Sequence, residues 1–173
     1  MKMTTRFFLT AISIIGAASA SYAQTETASA TATATIVTPL SITKDVDMNF
    51  GIVAVNATAA GSVVLTPAGV PGAVDGAWIP TLGGTATAAS FTVNGQDNYT
   101  YTITLPSSDV ILDDGLLHTM TVNTFTCDPL EAEGELTDGV QVLHVGATLN
   151  IAAGQVPGTY TSATAFNVTV NYN

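Results

Sequence analysis

The sequence predicts an all-β domain, a sandwich or barrel of antiparallel strands. Thr, Ala, Val, Gly and Asn dominate, and past residue 23 no window sustains the i, i+3, i+4 apolar spacing of a helix. Short β-prone runs recur instead between Gly, Pro, Asn and Asp. The clearest run lies at the end, where Phe166, Val168, Val170 and Tyr172 alternate with Asn167, Thr169, Asn171 and Asn173. Period-2 alternation marks a half-buried strand. Chain ends fray unless they are tied into a sheet, so Tyr172 is expected to be docked in the domain or captured by a partner. That favours a strand-pairing structural protein over an enzyme.

Residues 1–23 read as an export signal. Lys2 and Arg6 precede an apolar run holding Phe7, Phe8, Leu9, Ile12, Ile14 and Ile15, and Ser21-Tyr22-Ala23 puts small residues at the −3 and −1 positions of a cut after Ala23. The apolar run is shorter than the roughly 20 residues that span a bilayer, so the expectation is an exported, soluble protein with no membrane insertion. Removing the signal leaves 150 of the 173 residues, enough for one domain. Residues 24–35 form an extension in which Ala28, Ala30, Ala32 and Ala34 alternate in phase with Ile36. A flexible linker competes with a strand there, and the alternation and Thr content lean toward strand. Residues 36–173 are then the sandwich domain.

Candidate strands fall at 31–37, 40–43, 48–54, 61–66, 86–93, 99–105, 110–112, 118–127, 140–151 and 160–172. Asn94-Gly95 and the polar residues up to Asn98 separate two β-prone runs, which predicts a hairpin. The apolar parity of 120–127 switches between Val122 and Phe125, as an extra residue at Asn123 or Thr124 would cause, so a bulge is expected. In 140–151, Leu143, Val145, Ala147, Leu149 and Ile151 share one face, and Gly146 on the other marks a bulge or a close backbone approach. Run 160–172 is unusually long for one strand, with a kink expected near 163–165. Two stretches read as irregular: 67–84, rich in Pro and Gly around the lone Trp78, and the acidic connection 128–139, read as a solvated loop.

Charge excludes several partners. Past the signal Lys44 stands alone against 13 acidic residues, a net charge near −12, so nucleic acid and anionic membranes lack the basic footprint they need. Cys127, the single cysteine, cannot bridge internally and reads as a small buried hydrophobe, with an intermolecular disulfide as the alternative.

The parts for catalysis are missing as well. His118 and His144 are the only histidines, and neither stands in a zinc or triad spacing. Asp113-Asp114 and the Asp45, Asp47 pair read as solvated turn carboxylates rather than a glycosidase pair. No glycine-rich phosphate loop follows a strand and opens a helix. No enzyme activity, cofactor or metal is expected.

Val156-Pro157-Gly158-Thr159-Tyr160 followed by the alternating Phe166 to Tyr172 run resembles the C-terminal strand of chaperone-usher pilins, particularly the archaic class related to spore coat protein U. Residues 32–42, Met48-Asn49-Phe50-Gly51 and Val145 to Ile151 are similar to a secreted bacterial family catalogued as a domain of unknown function and held to be fimbrial. The likeness covers about 30–173. It implies an incomplete immunoglobulin-like antiparallel β-sandwich completed by a donor strand. Residues 24–36, with Ala28, Ala30, Ala32, Ala34 and Ile36, would enter a groove lined by Phe166, Val168, Val170 and Tyr172 of the next subunit. Implied partners are copies of the chain or related pilins, a periplasmic chaperone and an outer-membrane usher, on a route through the periplasm to the cell surface or beyond. Such pilins usually carry a disulfide, which Cys127 alone cannot make, and four alanines with Ile36 make a weak apolar zipper. The alternative is a free-standing secreted β-sandwich that binds or adheres through the loops around Trp78 and 128–139.

Overall fold

The computed structural model describes residues 24–81, 84–131 and 134–173, and the export signal at 1–23 lies outside them. The chain divides into two compact units, Met1–Thr35 and Ile36–Asn173. In the first, residues 24–35 are exposed and carry no strand. The strand expected over 31–37 does not form, and Ile36, in the second unit, is 96% exposed. An alanine methyl contributes only on the order of 0.8 kcal/mol when buried, and an unpartnered strand satisfies none of its backbone groups.

The second unit is all-β, as the alternation predicts. Its strands begin with β1 (Ser41–Val46), β2 (Ala54–Val55), β3 (Gly61–Leu65), β4 (Pro71–Asp75) and β5 (Ala77–Trp78). Next come β6 (Ala89–Asn94), β7 (Thr100–Thr104), β8 (Val110–Asp113) and β9 (Thr119–Asp128). The series closes with β10 (Gly134–Glu135), β11 (Val140–Ile151), β12 (Thr161–Ser162) and β13 (Thr169–Tyr172). Every named pairing is antiparallel, in a large sheet β1-β6-β11-β9-β8-β12 with the β3–β4 hairpin attached to β11, a small sheet β10-β7-β13, and the pair β2-β5. The result is a sandwich-like all-β fold.

Strand β11 organises the large sheet. On one side its first half pairs with β6 and its second half with β3; β9 lies along the other. The switch of partner falls at Gly146, where a Cβ would stand 2.2 Å from the Leu65 carbonyl oxygen. The close approach expected there is real. So is the bulge: Gly146 faces Thr126 and Thr148 faces Asn123, which leaves Thr124 and Phe125 opposite Ala147. Thr124 takes a φ of 50°, an uncommon backbone for a β-branched residue. The bulge restores Phe125 and Cys127 to the face that Val122 occupies.

Two clusters fill the interior. Around the first half of β11, Phe91, Val93, Leu143 and Val145 meet Tyr101 and Ile103 of the small sheet. Around the second half, Val63, Val122, Ala147, Leu149 and Ile151 are covered by Phe50, Val53, Val55, Ala77 and Ile79.

Several expectations need correction. The hairpin across Asn94-Gly95 does not form: β1 and β11 occupy both edges of β6, so the turn carries the chain over to the small sheet. The stretch 67–84 is not one long loop. Pro71 opens edge strand β4, where its missing N–H costs no ladder bond, and Ala77–Trp78 pairs with Ala54–Val55. Within 48–54 only a bridge at Asn49 and the start of β2 remain. The connection 128–139 contains β10 and the fully buried Leu136. Run 160–172 is two short strands separated by the irregular 163–168, so the interruption begins where the kink was expected but extends further.

Candidate assembly edge

Strand β13 forms one edge of the small sheet, paired with β7 alone: Thr169 faces Thr104, Val170 Ile103, Asn171 Thr102 and Tyr172 Tyr101. The Asn173 N–H donates to the Thr100 carbonyl at 3.2 Å. By ladder alternation, the N–H groups of Val170 and Tyr172 therefore point away from β7. Strand β1, itself an edge of the large sheet, approaches β13 without pairing to it. The two layers thus end side by side in unpaired backbone edges.

The four expected acceptor residues are brought together. Phe166, Val168, Val170 and Tyr172 are half-buried and pack on the first core cluster, while Asn167, Thr169, Asn171 and Asn173 are exposed. The Phe166 ring lies 5.2 Å from Phe125 and 6.4 Å from Phe91 between centroids, although its backbone is outside any strand. The donor residues are placed differently: Ala28, Ala30, Ala32, Ala34 and Ile36 are exposed and in no strand.

The Tyr172 end is clasped by partners that sequence reasoning missed. The Tyr172 hydroxyl donates to the Thr38 carbonyl at 2.8 Å and accepts from the Gln96 N–H at 2.6 Å. The Thr38 N–H in turn donates to Gln96 Oε1 at 3.2 Å, and the Tyr99 ring packs edge-on at 5.6 Å from Tyr172. A Cβ on Gly95 would stand 2.3 Å from that hydroxyl, so a larger residue there would push the hydroxyl out of the clasp. Gly95 was the visible signal, read for its turn rather than for the approach it permits.

Cys127 is buried, as expected, and has no disulfide. Burial, with Glu131 and Asp128 nearby, pushes its thiol up to about 11, leaving it almost wholly protonated at neutral pH. Burial, with the Cys127 charge adding to it, pushes Tyr101 up to about 12; the Tyr101 hydroxyl donates to Gln141 Oε1 at 2.6 Å. His118 Nδ1 meets Asp114 Oδ2 at 2.6 Å, and Asp114 Oδ1 accepts from the Leu116 and His118 N–H groups. Desolvation works to raise the Asp114 carboxyl, but the His118 hydrogen bond and these backbone donors outweigh it and hold the group below its ordinary value. The pair closes the β8–β9 turn. Among the described residues no three of His, Cys, Asp or Glu gather where they could hold a metal, and no helix is long and apolar enough to cross a membrane.

No curated protein and no solved structure matches the chain. Residues 40–172, most of the second unit, match the family described as a domain of unknown function, DUF4402, and the chain belongs to that family.

Proposed function

We propose that this protein is a non-enzymatic structural subunit of a cell-surface fimbria, assembled by strand addition at the free edge of β13. One observation carries the reading: β13 offers outward N–H groups beside an apolar row from Phe166 to Tyr172, next to a second unpaired edge on β1. An exposed edge with alternating apolar side chains is the surface to which an extended segment adds, backbone bonds giving affinity and side chains register. Residues 24–35, exposed and free of strand pairing, are the segment of this chain suited to be lent to a neighbour. On this reading the protein is exported through the periplasm, is held there by a chaperone, and passes an usher to the surface.

The test is a comparison of the chain carrying and lacking residues 24–35. Polymer, seen by electron microscopy and as large species in size-exclusion chromatography, should disappear while circular dichroism of the domain is retained. Unchanged assembly contradicts the proposal.

A second reading, a free-standing secreted sandwich with a binding or adhesive role, is favoured by the Tyr172 clasp. Phe166, Val168, Val170 and Tyr172 already pack on the core, so these side chains find partners within the domain itself.

A further inference from the structure

On the outer face of the large sheet, Val46, Ser90, His144 and Asp128 stand in one row across β1, β6, β11 and β9, each in register with the next. Directly opposed side chains in such a ladder have Cβ atoms about 5 Å apart. The row lines an open depression of about 410 Å³ together with Ala68, Ala86 and Ala88. Ser90 is 8% exposed, and its hydroxyl makes no hydrogen bond among the described residues; because no buried side-chain oxygen there lacks a partner, the hydroxyl is the part of Ser90 that reaches solvent. His144 and Asp128 form no ion pair with each other, whereas the other histidine, His118, is closed onto Asp114. Thr87, also in the lining, donates its hydroxyl to the Asp47 carbonyl at 3.1 Å and keeps its oxygen free to accept.

The lining selects a ligand class by elimination. An anion would face Asp128 with no lysine or arginine in the lining. A sugar would find no aromatic ring to stack on. A metal ion would find one imidazole and one carboxylate, fewer than the three or four protein ligands of a stable zinc site. A purely apolar ligand would cover the Ser90 hydroxyl without offering it a partner. We infer that this depression binds a primary alkylammonium group, its N–H donors shared among Asp128, Ser90 and His144 and its methylenes against Val46, Ala68, Ala86 and Ala88. The 13 acidic residues of the chain add a field that gathers cations at the surface. The inference is independent of strand addition, because the row lies on the face of the large sheet away from both core clusters. Two sources share this chemistry: a free amine, and the lysine side chain of another protein.

The test is a titration of the mature chain followed by amide chemical shifts. Normal-butylammonium is expected to move the resonances of residues 90, 128 and 144 saturably. Tetramethylammonium, which has no N–H donor, should bind at least tenfold more weakly, and butyrate should not bind. Asp128→Asn, at an exposed position, should weaken butylammonium at least tenfold with the rest of the spectrum unchanged, and Ser90→Ala about threefold. Equal affinity for tetramethylammonium, equal shifts with butyrate, or an unchanged Asp128→Asn overturns the site. A lysine peptide that binds tenfold tighter than butylammonium, and loses this on Nε-acetylation, assigns the site to a protein lysine; equal affinities assign it to a free amine.

Discussion

Strands β11 and β13 present the same alternation of apolar and polar residues, yet they occupy opposite situations in the fold. β11 runs for twelve residues with neighbours along both edges, and its inward row is almost fully buried. β13 runs for four residues with a neighbour on one edge, and its inward row is half-buried. Side-chain period sets which face turns to the core; it says nothing of how many edges are paired. The burial of an inward row follows from what lies beside the strand as well as beneath it.

Charges placed on the two rows should separate them most widely. Val145→Asp puts a carboxylate in a fully buried site and should remove about 4 kcal/mol or more, abolishing cooperative thermal unfolding. Val170→Asp can turn its carboxylate toward the open edge, and about 2 kcal/mol is expected from the same melts. Equal losses would mean that the β13 edge is as closed as the centre of the large sheet.

Gly146→Val is expected to cost about 3 kcal/mol, because the added Cβ meets the Leu65 backbone and not a side chain that could move. The loss should appear as faster amide exchange in β3. At the edge, Tyr172→Phe removes the hydroxyl bonds to Thr38 and Gln96 and should cost only about 1 kcal/mol in denaturant unfolding. A loss of several kcal/mol there would make the clasp a central part of the core rather than a closure of one end.

A further effect is expected in pH. Cys127 is raised from an ordinary 9.0 to about 11, so the folded state favours the protonated thiol. Its contribution is complete below pH 9 and is lost as pH rises to about 11. Tyr101, raised from 10.0 to about 12, adds a second loss between pH 10 and about 12, overlapping the first. Cys127→Ala should lessen the decline of melting temperature most between pH 9 and 10, where Cys127 titrates alone, and reduce without abolishing the decline above pH 10, where burial still raises Tyr101. An identical decline in the variant would separate Cys127 from it.

Much of this was legible in the chain. The alternation of 140–151 marks β11 residue by residue, and the parity switch at Val122 and Phe125 locates the bulge because a missing step in period 2 has few other causes. What escaped depends on distant partners. Asn94-Gly95 looks like a hairpin because the turn chemistry is local, whereas the rival claim of β1 and β11 on both edges of β6 is not. Pro71 disguised β4, since proline argues against a central strand but is tolerated at the start of an edge strand. Leu136 was lost among acidic neighbours, one apolar residue giving no period to read. At the candidate edge, the apolar row was legible, but the clasp joins positions 38, 96 and 172 and leaves no pattern in the sequence.

Amide hydrogen exchange at Val170 and Tyr172 tests strand addition most directly. The chain lacking residues 24–35 would be followed with and without a synthetic peptide of residues 24–37. Both N–H groups should exchange rapidly in the domain alone and become protected when the peptide is added, while β11 remains protected throughout. If they are already protected in the lone domain, or remain unprotected at saturating peptide, β13 is not the edge that receives a strand.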